Sequence, residues 1–242
     1  MFSLAGKTAV VTGASQGIGQ AITTALHNAG ASLVLVGRNR ERLEASISEL
    51  PRGNAHTPLL VEADLLDSER LTIVADQISS SYPTVDILIN CGGTYLRGPW
   101  DEATTESLNE LLRTNITGPY TLTRLLLPPL VESRGDIVFI NSTVTKSSGL
   151  MTGQFKASQQ GLQAIADSLR AEFNQLGVRV TSIYPGRTAT PRQENIYADE
   201  GREYHPESLL QPTDVANSVM SCLSLPETAE VTDLYIRPRF KS

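Results

Sequence analysis

Short β-branched runs alternate with amphipathic stretches from one end of this chain to the other, and that alternation permits few architectures. Residues 8–11 read as a first strand, followed by a helix over about 17–29 that Gly30 stops. A second strand covers 32–36, and a helix over 40–50 closes at Pro51. Residues 56–62, beginning at His56, give a third strand, after which Leu71, Val74 and Ile78 recur at helical spacing. Residues 85–90 form a buried strand. A long helical region over about 104–131 contains Pro128-Pro129, which lacks two backbone donors and is expected to kink or end it. A strand at 137–141, a helix at 152–176, a strand at 178–184, a short helix from Pro212 and a last strand at 231–236 complete the order.

Strands separated by helices must run parallel, and a parallel sheet needs helices on both faces. The expected fold is α/β, a doubly wound parallel sheet of about seven strands, with its binding crevice at the carboxyl ends of the strands. The 242 residues show no repeat, linker or low-complexity tract, so residues 1–242 are read as a single domain. Residues 187–211 are rich in Pro, Gly, Tyr and charge, and read as a mobile substrate lid. No apolar run approaches the roughly 20 residues a membrane span requires, and the residues from Met1 to Lys7 leave no room for a signal peptide before the first strand, so the cytoplasm is expected. A net charge of −6 argues against a nucleic-acid surface; any basic groups that matter must be local. Two cysteines, Cys91 and Cys222, and three scattered histidines, His27, His56 and His205, offer neither a disulfide framework nor a metal site.

Between the first strand and first helix stands Thr12-Gly13-Ala14-Ser15-Gln16-Gly17-Ile18-Gly19. Gly13 permits a tight turn, Gly17 lets main chain approach a pyrophosphate, and Gly19 lets the helix pack closely on the sheet. The N–H groups at the helix start then face an anion. This T-G-x-x-x-G-x-G spacing resembles that of the short-chain dehydrogenase/reductases, a Rossmann-like family, and the likeness extends along essentially the whole chain. The resemblance implies that Ser15 and Ile18 join the three glycines at the phosphates, that Asp64-Leu65 contact adenine, and that Asn90-Cys91-Gly92-Gly93 occupies the family's Asn-Asn-Ala-Gly site with two of four positions changed. It also implies that Pro185-Gly186, with Thr188 or Thr190, meets the nicotinamide carboxamide. Cofactor choice turns on Gly37-Arg38-Asn39 at the end of the second strand. An NAD site usually carries a carboxylate there, whereas Arg38 suits a 2′-phosphate, so NADP is expected over NAD.

In this family a serine, a tyrosine and a lysine act together, with an asparagine behind them. Ser142 and Asn115 match the first and last of these roles, Ser142 standing thirteen residues before Phe155. The tyrosine and lysine positions carry Phe155 and Gln159. A phenyl ring has no proton to give, and an amide has no fixed charge with which to lower a phenol's pKa. The expected protein therefore binds NADP(H) and a small molecule but is impaired in carbonyl/alcohol hydride transfer. The alternative is an active oxidoreductase with a relocated proton donor, with Tyr95 or Tyr184 the tyrosines nearest the crevice and Lys156 a solvated side chain. The resemblance further implies a homodimer or homotetramer.

Overall fold

The computed structural model describes residues 2–51, 57–147 and 151–239. Among the described residues seven strands form one sheet: β1 (Thr8–Thr12), β2 (Ser32–Gly37), β3 (Leu59–Glu62), β4 (Ile87–Asn90), β5 (Asp136–Ile140), β6 (Arg179–Pro185) and β7 (Asp233–Ile236). Their order is β3-β2-β1-β4-β5-β6-β7, every pair parallel. The chain thus winds outward one way from β1 and the other way from β4, and the crevice opens where the direction reverses. The third strand is shorter than its sequence suggested, and His56, its expected start, lies outside the described residues.

Alternation along the strands explains why both faces are covered. Val10 packs into one core with Leu71, Val74 and Ile78 of α3 (Ser68–Ser81) and Leu122, Leu126 and Leu130 of α5 (Gly118–Ser133). Its neighbours Ala9 and Val11 pack into another, with Ile22 and Leu26 of α1 (Gly17–Asn28), Leu43 of α2 (Arg40–Ser48) and Val215 and Val219 of α8 (Pro212–Leu223). Successive side chains point to opposite faces, so a strand buried on both reads as continuously apolar. Among the described residues no helix is long and apolar enough to cross a membrane.

The long helical region departs from expectation in two ways. It does not end at Pro128-Pro129: α5 runs on to Ser133, where Arg134 closes it in the left-handed region (φ 52°). Tertiary contacts outweigh the two missing donors. Leu126 and Leu130 are fully buried, the Pro129 carbonyl accepts from Val85 N–H (3.3 Å), and Ser133 Oγ donates to the Val85 carbonyl (2.6 Å). Upstream, α4 (Thr105–Leu112) joins α5 through one π-helical turn, Arg113–Thr117, which turns Thr114 and Asn115 into the interior. Helix α6 (Gly153–Phe173) lies against β6 and the π turn, with Leu162 and Ala166 in the core. The segment read as a substrate lid holds α7 (Pro191–Asp199) and a short 3-10 turn at Pro206–Ser208.

Candidate functional site

A cavity of about 920 Å³ opens at the carboxyl ends of the strands, lined along one wall by the turn between β1 and α1. The turn is shaped by steric exclusion. A Cβ on Gly13 (φ 65°) would come within 2.8 Å of the Gly92 Cα, and one on Gly19 would strike the Gly13 carbonyl, so main chain approaches main chain here only because both side chains are hydrogen. Thr12 fixes the opposite lip: its Oγ1 accepts from the N–H groups of Cys91 and Gly92 (3.0 Å each). Helix α1 begins at Gly17 with no side-chain cap on its first turn and no acidic residue in it. Its first-turn N–H groups and dipole therefore face the cavity, an arrangement that fits a pyrophosphate.

At the far end of this wall the cavity meets β2 and β3. Arg38 and Arg42 line it, and no carboxylate from the end of β2 does. Asn39 lines it too, although its Oδ1 is taken up capping α2 through Arg42 N–H (2.8 Å). Arg40 is turned away, bound to Glu44 (2.8 Å) and the Leu60 carbonyl (3.0 Å). Asp64 and Leu65 lie in the lining, Asp64 Oδ1 accepting from Leu66 N–H (3.0 Å). Ser15, Gly17, Ile18, Gly92, Pro185, Gly186, Thr188 and Thr190 line the cavity as well. Asn90 is not in this lining: it is buried and donates from Nδ2 to Thr123 Oγ1 (3.0 Å), so this side chain ties β4 to α5.

The other end is built by β4, β5 and α6. The π turn aims Asn115 at the loop after β4, where its Oδ1 accepts from Thr94 N–H (2.8 Å) and its Nδ2 donates to the Thr94 carbonyl and to Ser158 Oγ (3.0 Å each). Asn141, a buried residue that sequence reasoning did not single out, accepts from Ser142 N–H (2.7 Å) and donates to the Gln159 carbonyl (3.0 Å), locking β5 to α6. Ser142 Oγ accepts from Val144 N–H (3.2 Å), which orients the hydroxyl and leaves its proton to donate into the cavity. Four residues along α6 from Phe155, Gln159 is 5% exposed and also faces this space. Phe155 meets Tyr95 edge to face, ring centres 4.8 Å apart and planes at 72°.

The two tyrosines named from sequence separate here. Tyr95 lines the cavity; burial, partly offset by Arg97, raises its phenol above the ordinary value, so it stays protonated at neutral pH. Tyr184 is fully buried, donates to Asp233 Oδ1 (2.7 Å) and stacks on Tyr235 at 4.2 Å, outside the lining. Lys156 is not simply solvated either, since its Nζ donates to the Ser147 carbonyl (2.6 Å). Beside the cradle, burial pushes the Cys91 thiol up to about 12 despite the opposing charge of Arg192, so it is no thiolate nucleophile. Arg192 reaches from α7 to the Gly93 carbonyl (2.6 Å). Sequence reasoning also missed Glu200, which gathers Arg97 and Arg187 at the cavity wall; nothing local in the chain announces so distant a pairing.

Residues 7–201 match the family model described as short chain dehydrogenase. The chain is 37% identical over 199 residues to mouse dehydrogenase/reductase SDR family member 7B, covering 81% of this chain but only 62% of that protein's length. An oxidoreductase of Staphylococcus saprophyticus is 32% identical over 98% of this chain and all of its own. Among solved structures, a Shigella flexneri short chain dehydrogenase complexed with NADP superimposes with a TM-score of 0.88 (26% identity, covering 97% and 98% of the two chains), and a Thermococcus sibiricus alcohol dehydrogenase complexed with 5-hydroxy-NADP with 0.86 (25% identity, 98% of each).

Proposed function

The chain belongs to the short-chain dehydrogenase family, and from that premise we propose that it binds NADP(H) in this cavity while performing carbonyl/alcohol hydride transfer poorly. Gly13, Ser15, Gly17, Ile18 and Gly19 would hold the pyrophosphate, and Arg38 with Arg42 the 2′-phosphate. Asp64 and Leu65 would meet the adenine, and the segment from Pro185 to Thr190 the nicotinamide. The NADP-bound relatives support this assignment, as does the pair of arginines where an NAD site would carry an acid. When bound, the nicotinamide supplies or accepts a hydride at a carbonyl carbon.

The chain's own contribution is then to orient the carbonyl and manage its proton. Ser142, held by Asn141 and Val144, donates to a carbonyl oxygen. Phe155 and Gln159 stand where the family carries its tyrosine and lysine, and neither moves a proton. General acid–base catalysis contributes about 10²–10⁴-fold, or roughly 3–5 kcal/mol of barrier. The observation that carries this reading is a phenyl ring, Phe155, in the cavity wall above an intact cradle. Titration with NADPH and NADH by fluorescence or calorimetry tests it: tighter NADPH binding with very slow NADPH consumption is expected. A chain that refuses both nucleotides at millimolar concentration, or one that turns carbonyls over at ordinary rates, overturns it.

A second reading is supported by Tyr95 alone. Its protonated phenol sits in the cavity against the Phe155 ring, so a relocated donor makes the protein an active oxidoreductase. On that reading Tyr95→Phe abolishes turnover while NADPH affinity holds; unchanged turnover removes Tyr95 from consideration.

A further inference from the structure

At the Phe155 end of the cavity three guanidinium groups share one carboxylate. Arg97, from the loop after β4, donates to Glu200 Oε1 (2.7 Å), and Arg187, just past β6, donates through both terminal nitrogens to the two Glu200 oxygens (3.0–3.1 Å). Arg202 adds a bond to Oε2 (3.1 Å). Three cations against one anion leave positive charge in excess; Asp199 is close enough to act on Tyr95, but it does not line the cavity.

Two of the three arginines face inward, and Arg202 does not line the cavity. Arg97, Arg187 and Glu200 all line the cavity, and among the described residues Arg38, Arg42 and Arg192 bring its lining to five arginines against two carboxylates, Asp64 and Glu200, in a chain whose net charge is −6. Pinning the segment after β6 to the loop after β4 requires one guanidinium per carboxylate oxygen pair, not three. Donors remain as well: a guanidinium carries five N–H groups, and one terminal nitrogen of Arg97 is directed at the Met151 sulfur, a weak acceptor (3.3 Å). The geometry is held ready by Tyr197, over whose ring the guanidinium groups of Arg187 (4.9 Å) and Arg202 (4.7 Å) both lie. With their side chains 22% and 32% exposed, Arg97 and Arg187 are only partly screened by solvent.

We infer that Arg97 and Arg187 recognise an oxyanion on the substrate, so that the molecule taken at this end of the cavity is a carbonyl compound carrying a carboxylate or phosphate group. This rests on reading the cavity as a nicotinamide-and-substrate site, and the experiment separates the two. Calorimetry compares 4-oxopentanoate with pentan-2-one, which share a ketone and differ in charge, against the full chain with and without saturating NADP⁺. The charged ketone is expected to bind at least about tenfold more tightly, the worth of one charged hydrogen bond. Arg97→Gln should remove most of that preference and Arg97→Lys restore part of it. Inorganic phosphate at matched ionic strength competes if the cluster takes phosphate as well as carboxylate, and leaves the inference standing for carboxylates alone if it does not. Equal affinity for the two ketones, including none for either, overturns it even if no variant folds. NADP⁺ binding without an anion preference defeats this inference alone. An anion preference without any response to NADP⁺ sustains it and defeats the cofactor reading.

Discussion

The β1–β3 half of the sheet and the β4–β6 half contribute to the same cavity by different means. On the first side the functional groups are mainly main-chain N–H donors, exposed because Gly13 and Gly19 bring nothing that obstructs them. On the second they are side chains, each held by a partner: Asn115 by Thr94 and Ser158, Ser142 by Asn141 and Val144. A site made of backbone geometry fails when a side chain is added. One made of side chains can lose its chemistry with little loss of packing, because a phenyl ring at residue 155 still offers Tyr95 a face and edge. On the function proposed above, cofactor binding and proton transfer rest on different halves of the site.

The largest effect should come from giving the second half a phenol and an ammonium group. Phe155→Tyr with Gln159→Lys is expected to raise NADPH-dependent carbonyl reduction by about 10²–10⁴-fold, with each single change achieving much less, since such residues act as a unit. Initial rates over a carbonyl panel measure this. No gain from the pair breaks the comparison, because the native protein would then already use another proton route.

Damaging the first half should be nearly as severe, and in binding rather than rate. Gly19→Val sets a Cβ against the Gly13 carbonyl and pushes α1 off the turn. NADPH affinity is expected to fall by more than about 100-fold, or roughly 2.7 kcal/mol, in a calorimetric titration. A milder change sharpens the point: Arg38→Glu, next to the cavity lip, should reverse the preference for NADPH over NADH by about tenfold or more while the cradle itself stays intact.

The two halves also differed in how far the sequence revealed them. The cradle was legible because glycine at a tight turn is a local necessity, and the strand-helix alternation around it is periodic. Phe155 and Gln159 stood out for the same reason, as departures at fixed spacing from a pattern. What escaped was tertiary. The π turn that aims Asn115, the lock by Asn141, and Glu200 gathering arginines from two loops all depend on residues brought together by folding. At Pro128-Pro129 a strong local stop signal did not end the helix, being outweighed by the burial of Leu126 and Leu130. Nor does its place in the motif after β4 reveal that the Asn90 side chain bonds to Thr123.

The smallest expected effect concerns the carboxylate that joins the loops after β4 and β6. Burial pushes the Glu200 carboxyl up, but hydrogen bonds and charge from Arg187, with Arg202 and Arg97, outweigh it and hold the group below its ordinary value of 4.5. A depressed folded value means that the unfolded chain takes up the proton first as pH falls. The stabilisation is therefore complete above the ordinary carboxyl value and is lost as pH drops through the folded one. Glu200→Gln should cost on the order of 1 kcal/mol at neutral pH, a modest figure because exposed Arg202 contributes little. That cost should shrink toward zero in acid, so urea midpoints of the two proteins converge as pH is lowered. A gap that stays constant with pH would mean the segment after β6 is held by the packing of Ile196 and Tyr197, with the ion cluster free to serve the ligand alone.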